Sequence, residues 1–431
     1  MTQIIASPQK ETMAIIGGGI SGMACAYFLQ RHYNVILLEK NDYVGGHTNT
    51  ITVKEGHQSI PIDTGFMVFN HHTYPNLLRF FKTLHIQTQK TDMSFSVNHI
   101  QDDLQWNGAG LAKLFSQRKN LFRPRFYKLL GTMSRFAKEA LEDVDNPEYE
   151  SMTIQDYAQH KQYSKDFLHL FLIPMSGAIW STNAQLMTDF PIQTLMRFFL
   201  NHGFLGLDTH FQWYTVSGGS QQYVRALQDN YPFDVRTQYP VESVEKGEHG
   251  VTIYSPKHPP LCVDRVVLAA HANESLHMLN QPNDLESNLL QHFKYEKNET
   301  HLHSDPSVMP SIKRTWAAWN YRIDQQGTTT HYWMNRLQNL PTQIPYFVSL
   351  NASHLIDPEK IHRTIQYTHP IFSLPAIQAQ KDLPKLNRQS SNQHVFFCGS
   401  YFKYGFHEDA FTSAFNLCSE LLQRDGDELW H

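Results

Sequence analysis

Residues 17–22 read Gly-Gly-Gly-Ile-Ser-Gly, and Gly17, Gly19 and Gly22 stand in the spacing Gly-x-Gly-x-x-Gly. Before them, Met13–Ile16 predicts a short buried strand. After them, Ser21–Arg31, with Met23, Ala24, Ala26, Tyr27 and Leu29, predicts a helix. A strand-to-helix turn of this kind suits an anion, because unpaired N–H groups and the positive end of the helix dipole face it. In that reading Gly17 allows the tight turn, and Gly19 lets a pyrophosphate touch backbone beside the amides of Ile20 and Ser21. Gly22 then lets helix and strand pack closely. The run NVILLE predicts a second parallel strand ending in Glu39. That is about 20 residues beyond the first glycine, where a carboxylate can accept both hydroxyls of an adenosine ribose. Lys40, next in line, is a further candidate contact. The bland alternative is a glycine-rich turn without a ligand. The fingerprint by itself leaves NAD and FAD open.

The chain has 431 residues, enough for two lobes, or for one large domain with a smaller one inserted. Hydrophobic residues at 41% and charged residues at 18% are the composition of a globular protein. A formal net charge of -4 carries no whole-chain signature of nucleic-acid binding. The four cysteines, Cys25, Cys262, Cys398 and Cys418, lack the Cys-x-x-Cys spacing of a zinc knuckle, and no disulfide framework is expected. The first residues lack the basic and apolar regions of a secretory signal, and no apolar run is long enough to span a bilayer. The expected location is cytoplasmic.

The residues after Glu39 extend the pattern. LEKNDYVGGHTNT places Gly45, Gly46 and His47 beyond the acid, and this resembles the second glycine pair of the flavin amine oxidase superfamily, which includes monoamine oxidases, protoporphyrinogen oxidase and carotenoid desaturases. Relatives usually carry Arg where this chain has His47. Further phrases resemble that superfamily in the same order. IDTGF, with Thr64 and Gly65, resembles the segment that passes the flavin ring. TVSGGSQQYVRAL resembles the turn and helix leading back to the cofactor domain. VESVEKGEHGVTIYS reads as a hairpin, and Val241 matches the residue whose backbone meets the adenine. VDRVVLAAHA predicts a buried strand, and HVFFCGSYFKYGFHEDAFTSA matches the C-terminal flavin motif. That last motif is a strand to Phe397, then Gly399, then a helix opening near Asp409 and Ala410. Relatives have Gly and a Ser-Gly pair where this chain has Asp409, Ser413 and Ala414.

The resemblance implies an α/β fold: a Rossmann-like FAD-binding domain of glutathione-reductase type with an inserted α+β substrate domain. The expected cofactor domain is 1–73, 212–273 and 388–431, and the expected substrate domain is 74–211 and 274–387. WNGAGLAKLF has two of three glycines and no strand before it, so no separate NAD(P)H domain is expected, and electrons would leave to oxygen, a quinone or a protein carrier.

Several phrases, among them GGHTNT, IWSTNAQLM, HLHSDPSVMP and YGFHEDAFTSA, resemble a bacterial branch of predicted NAD/FAD-binding proteins associated with cyclopropane and other modified fatty-acid synthesis. This implies hydride transfer to flavin N5 from an apolar, fatty-acyl substrate. The alternatives are a flavin amine oxidase and a non-catalytic flavin-binding partner of a lipid-modifying enzyme. Phe406 falls at one position of the amine oxidases' aromatic cage. His407 and Glu408 are candidate proton acceptors, with a structural hydrogen bond as the competing role for each. No metal is expected, although His301, His303 and Asp305 could form part of a site if they lie on a strand. Trp316, Trp319 and Trp333 read as core or cavity walls.

One stretch stands out for charge. Lys113–Lys138 contains Lys113, Arg118, Lys119, Arg123, Arg125, Lys128, Arg135 and Lys138 and no acid, with Phe115, Leu121, Phe122, Phe126, Leu129, Leu130 and Phe136 interleaved. It is either a helical pair with a solvated basic face and a core face, or a helix that makes peripheral contact with an anionic membrane.

Overall fold

The fold is that of a computed structural model describing residues 10–206, 211–388, 394–424 and 426–430. Most of the amino-terminal stretch read for a secretory signal lies outside the described residues. The chain forms two compact units, Met1–Thr48 with Tyr223–Phe293 and Gln378–His431, and Asn49–Gln222 with Lys294–Ile377.

The first unit is built on β1 (Thr12–Ile16), α1 (Ile20–Leu29), β2 (Asn34–Leu38), β3 (Asp234–Arg236), β4 (Arg265–Leu268), β5 (Val395–Phe397) and α2 (His407–Leu422). Its five-stranded sheet runs β3-β2-β1-β4-β5 with every pair parallel. This is the doubly wound order, in which the direction of winding reverses beside β1 and a ligand crevice opens at the strand ends. β1, β2, β4 and β5 fall within the expected stretches, whereas β3 has no counterpart among them. All of α1 is buried, which explains why its sequence is small and apolar on every face. It packs along α2, where Phe28 meets Phe411 and Phe415 edge-on or nearly so, and Trp430 from the turn beyond α2 meets it in the same way. Cys25 Sγ lies 3.7 Å from Cys398 Sγ in the same core.

The second unit holds a seven-stranded sheet in the order Ile361–Ile371, Lys294–His303, Phe347–Leu350, Gly327–Trp333, Trp319–Asp324, Phe95–His99, Leu104–Asn107. It is antiparallel except between Trp319–Asp324 and Phe95–His99. Trp316 and Trp333 pack ring to ring at 5.4 Å, and Trp319 meets Tyr332 at 4.9 Å, so these tryptophans are core-wall residues.

The unit boundaries differ from the expected ones, for reasons visible in the packing. The hairpin Thr50–Glu55/Gln58–Asp63 buries Val53, Ile60 and Ile62 against Leu302, Tyr332 and Val348, so 49–73 belongs with the second unit. Trp213–Val216 pairs with Phe69–Asn70 and Thr88–Thr91 and takes 212–222 the same way. Conversely, Leu279 pairs with Val244, and Lys246 forms an ion pair with Glu286 at 2.6 Å, tying 274–293 to the first unit.

His301 and His303 do lie on a strand, but each is committed to its own partners. His301 meets Glu299 at 2.9 Å and Thr364 at 3.2 Å. Asp305 N–H donates to His303 Nδ1 at 3.1 Å. A neutral His303 therefore carries its proton on Nε2 and donates to Ser349 Oγ at 2.7 Å. Ser349 in turn donates to His331 Nδ1 at 2.8 Å, and His331 Nε2–H donates to Thr329 Oγ1 at 2.9 Å. Among the described residues no group of three or more His, Cys, Asp or Glu side chains is placed to hold a metal.

Burial pushes His303 down to about 3, and it holds His331 well below the usual histidine value. As pH falls below the ordinary histidine range, the unfolded chain takes up protons that the fold refuses. Stability is then lost at up to about 1.4 kcal/mol per pH unit for each ring. Asp63, raised to about 6 by burial, acts in the opposite sense between its unfolded value of 3.8 and that point, since there the fold binds the proton. Asp409, likewise raised to about 6, acts with Asp63, whereas His47 and His407 are held low like His303 and His331. The four histidines outweigh the two aspartates, so the thermal midpoint falls on acidification from about pH 7 to about pH 5. His331→Asn, which keeps an acceptor for Ser349, makes that fall shallower, as thermal unfolding followed against pH will report.

Candidate cofactor and active site

The glycine loop follows β1 at the point where the sheet order reverses. Gly17 has φ +108°, and a Cβ there would lie 2.6 Å from the Ala269 carbonyl oxygen after β4. A Cβ on Gly22 would lie 1.9 Å from the Gly17 carbonyl oxygen, so only glycine lets α1 sit this close to the loop. Gly19 is different. Its backbone is extended, and a Cβ would meet nothing within 4 Å, so the space above it is open. Gly19 is also the N-cap of α1 without a side-chain hydrogen bond, and the first turn carries no acid. The amide end of α1, including Ile20, Ser21 and Gly22, thus offers unpaired positive dipole with room for an anion.

Glu39 lies at the end of β2, buried, and binds the loop itself. Its Oε2 accepts Gly18 N–H at 2.8 Å, and its Oε1 accepts both N–H and Nδ2–H of Asn41 at 2.8 Å. The second glycine pair comes up beside the first: Gly45 N–H donates to the Gly18 carbonyl at 2.9 Å, and a Cβ on Gly46 would meet Gly19 Cα at 3.1 Å. His47, next in the chain, is kept neutral, its pKa lowered to about 4 by desolvation and by His271. The Lys40 ammonium forms an ion pair with Glu274 at 2.7 Å. Val241 is half-buried, just ahead of the hairpin formed by Ser243–Lys246 and Val251–Ser255.

At the other end of the unit, α2 opens at His407, two residues before the expected point. His407 and Glu408 are therefore on its first turn and not in a loop ahead of it. The His407 ring does not stand as an open proton acceptor: its Nε2 is 2.9 Å from Thr48 Oγ1 and 3.1 Å from Tyr223 OH, which also contact each other. Burial, reinforced by His47, holds it well below the usual histidine pKa. Thr412 Oγ1 donates to Glu408 Oε1 at 3.2 Å. Asp409 accepts Phe406 N–H at 3.0 Å, and burial raises its carboxyl to about 6. Ala410 is buried behind it, and Gly399 N–H donates to Ser413 Oγ at 2.9 Å.

Thr64 and Gly65 belong to the second unit, where Thr64 Oγ1 bonds the Asn49 carbonyl at 2.9 Å and Tyr367 OH at 2.8 Å. Asp63, which the sequence reading passed over, organises this region. It accepts Thr50 Oγ1 at 2.5 Å, Ser220 Oγ at 2.8 Å and Gln338 Nε2 at 2.8 Å. In this way it fixes the Gly218–Gly219 turn, where a Cβ on Gly219 would lie 2.5 Å from Thr50 Cγ2. In the same unit a single π-turn, Leu168–Leu172, runs into the helix Ile173–Trp180, and such turns concentrate at functional sites. From Leu168 to Trp180 there is no Asp, Glu, Lys or Arg, and Phe171, Met175 and Ile179 form a half-exposed apolar stripe at helical spacing.

The profile of the family described as flavin containing amine oxidoreductase matches residues 20–298, more than half of the chain. The chain belongs to the flavin-containing amine oxidoreductase family. Members are FAD-dependent oxidoreductases, and FAD is the cofactor. The open space over Gly19, the uncapped amide end of α1 and the adjoining Gly46 suit its diphosphate. Amine oxidase [flavin-containing] A of Equus caballus is 36% identical over 98 residues, 21% of this chain and 18% of that protein. The alignment thus spans under a fifth of this relative's length. Among solved structures, the cyclohexylamine oxidase of Brevibacterium oxydans has a TM-score of 0.67 at 16% identity, covering 96% of this chain and 100% of that one. The CLA-producing fatty acid isomerase of P. acnes also has a TM-score of 0.67, at 14% identity, covering 96% and 99%. At these identities the likeness is one of fold.

The two glycines make opposite demands, and alanine separates them. Gly19→Ala leaves the apoprotein folded, with an unchanged thermal midpoint, but lowers FAD affinity at least about tenfold, because the methyl enters the space for the diphosphate. Gly22→Ala forces backbone apart and costs about 3 kcal/mol of stability. Thermal unfolding and FAD titration of the two variants check both halves.

Proposed function

We propose that this family member binds FAD along the loops of its first unit and uses it to remove hydrogen from an apolar substrate of the fatty-acyl class. The observation that carries the acyl reading is the charge-free helix of the second unit with its half-exposed Phe171–Met175–Ile179 stripe. The uncapped, open α1 amide end of the first unit supports the flavin part by itself. The fold is compatible with such substrates, since one structural neighbour is a fatty acid isomerase.

When bound, FAD supplies a hydride acceptor at N5 of its ring system. The residues divide the remaining work. Amides of Ile20, Ser21 and Gly22, with bare backbone at Gly17 and Gly19, hold the diphosphate. Glu39 keeps lone pairs for the ribose hydroxyls while bonding the loop. Gly46 and a neutral His47 approach from the second loop, and Val241 offers backbone to the adenine. Gly399, Asp409 and Ala410 of the first unit would border the ring system. Phe406 orients the substrate. With FAD bound as hydride acceptor, Glu408 would take the proton from the carbon next to the one that gives up hydride, so that loss of the two hydrogens leaves a double bond between those carbons. His407 acts as a positioning residue through Thr48 and Tyr223. Oxygen, a quinone or a protein carrier would be the electron acceptor.

Oxidation of an amine is the second reading, favoured by the cyclohexylamine oxidase and the horse amine oxidase among the relatives. Anaerobic mixing decides between them, with the visible flavin band as the readout. A phospholipid carrying unsaturated or methylated acyl chains is expected to bleach the band, and cyclohexylamine is expected to leave it intact. Bleaching by the amine alone would replace the acyl reading. A band stable to both, with a lipid-modifying enzyme co-purifying, would make the protein a non-catalytic partner.

A further inference from the structure

The basic stretch folds differently from a single surface helix. It comprises a short helix, Leu111–Leu114, a 3-10 turn, Arg118–Phe122, and the long helix Pro124–Asp143. Phe126, Leu129 and Phe136 of the long helix are buried and belong to the core. The apolar residues left outside are others. Phe122 is 85% exposed and Leu111 76%, the two most exposed large apolar side chains among the described residues, and Tyr127 at 49% and Leu121 at 45% accompany them. They share one corner. Phe115 N–H bonds the Leu111 carbonyl, the Phe115 ring packs on Phe126 at 5.7 Å and Tyr127 at 5.8 Å, and Tyr127 OH bonds the Leu121 carbonyl at 3.1 Å.

The cations of this corner fall into two sets. Lys119 pairs with Asp103, and Arg125 with Asp102 and Asp166. Lys113, Arg118 and Lys128 make no ion pair with a described residue, and Arg123 makes none either while donating to the Asp103 carbonyl at 3.0 Å and to Asn120 Oδ1 at 3.2 Å. All four flank the exposed apolar tips in a protein whose net charge is negative. Unpaired Lys and Arg around a few protruding apolar side chains are the composition of a membrane-surface contact. A protein–protein interface differs, because its centre is depleted in lysine.

We propose that this corner docks on an anionic phospholipid bilayer, with Phe122 and Leu111 entering the acyl boundary and Lys113, Arg118, Arg123 and Lys128 at the level of the phosphates. The contact is reversible and salt-sensitive, since few apolar side chains take part and the charges are screened over about 8 Å at physiological ionic strength. The inference concerns where the protein sits and stands whether or not its substrate is an acyl chain.

Vesicle flotation of the full-length flavoprotein tests it, using equimolar phosphatidylglycerol and phosphatidylcholine against phosphatidylcholine alone. Binding to the anionic vesicles only, weakened by salt, is expected. Phe122→Ser should lower partition about tenfold, and Arg118→Ser with Lys128→Ser should abolish the preference for anionic lipid. Both sets of substitutions are at exposed positions, so thermal unfolding should match the parent protein and exclude misfolding as the cause. Phe122→Trp should show a blue-shifted emission on anionic vesicles. Absence of binding at low salt, or binding unaffected by Phe122→Ser, overturns the proposal. If the parent instead sediments as a dimer that Phe122→Ser turns into a monomer, without vesicle binding, the corner is an interface between copies.

Discussion

The contact between the α-carbon of Gly22 and the carbonyl oxygen of Gly17 governs the first unit. With no side chain at 22, α1 lies against the end of β1, its amide end points into the crevice where the sheet order reverses, and its whole length becomes buried. Burial of α1 in turn demands partners on every side. β1 and β2 flank it from the sheet, α2 packs along it, and the aromatic group around Phe28 and Trp430 closes it off. The anion-binding end and the hydrophobic core are thus set by one close approach. A larger residue would lose both together, because the loop cannot move without opening the contact between Gly17 and the end of β4.

The amide ends of α1 and α2 are charged differently. That of α1 has no acid in its first turn and no side-chain cap, which leaves its dipole free for a bound anion. That of α2 carries Glu408 and Asp409, and Asp409 already accepts Phe406 N–H. A helix amide end lowers a carboxyl pKa and burial raises it; Asp409 stands at about 6, so burial dominates. His47 and His407 are kept neutral by the same desolvation. The region therefore offers backbone dipoles and neutral hydrogen-bonding groups more than fixed cations.

Much of the cofactor unit was legible in the sequence, because its constraints are local. Gly17, Gly19, Gly22 and Glu39 sit at fixed spacing on one strand-turn-helix-strand unit, and the hairpin after Val241 alternates as a hairpin should. β3 was missed: Asp234–Arg236 is three residues long, contains two charged side chains and owes its place to pairing with β2. Asp63, Thr48 and Tyr223 were missed for a related reason. Each gains its role from partners more than a hundred residues away, as in the Asp63 bonds to Ser220 and Gln338, and no periodicity announces such a contact. His407 was read by its place beside a motif, whereas its hydrogen bonds to Thr48 and Tyr223 decide what it does. The basic stretch shows both sides: its charge was plain, but only packing could tell that Phe126, Leu129 and Phe136 turn inward while Phe122 and Leu111 stay out.

The central claim is that the space bounded by Gly19, Gly46 and the α1 amides is built for the diphosphate of FAD. The most direct test is the visible absorption spectrum of the purified protein, followed by mass spectrometry of the small molecule that heat releases. An oxidised-flavin spectrum and the mass of FAD are the predicted result. A colourless protein that also fails to take up added FAD would contradict the claim.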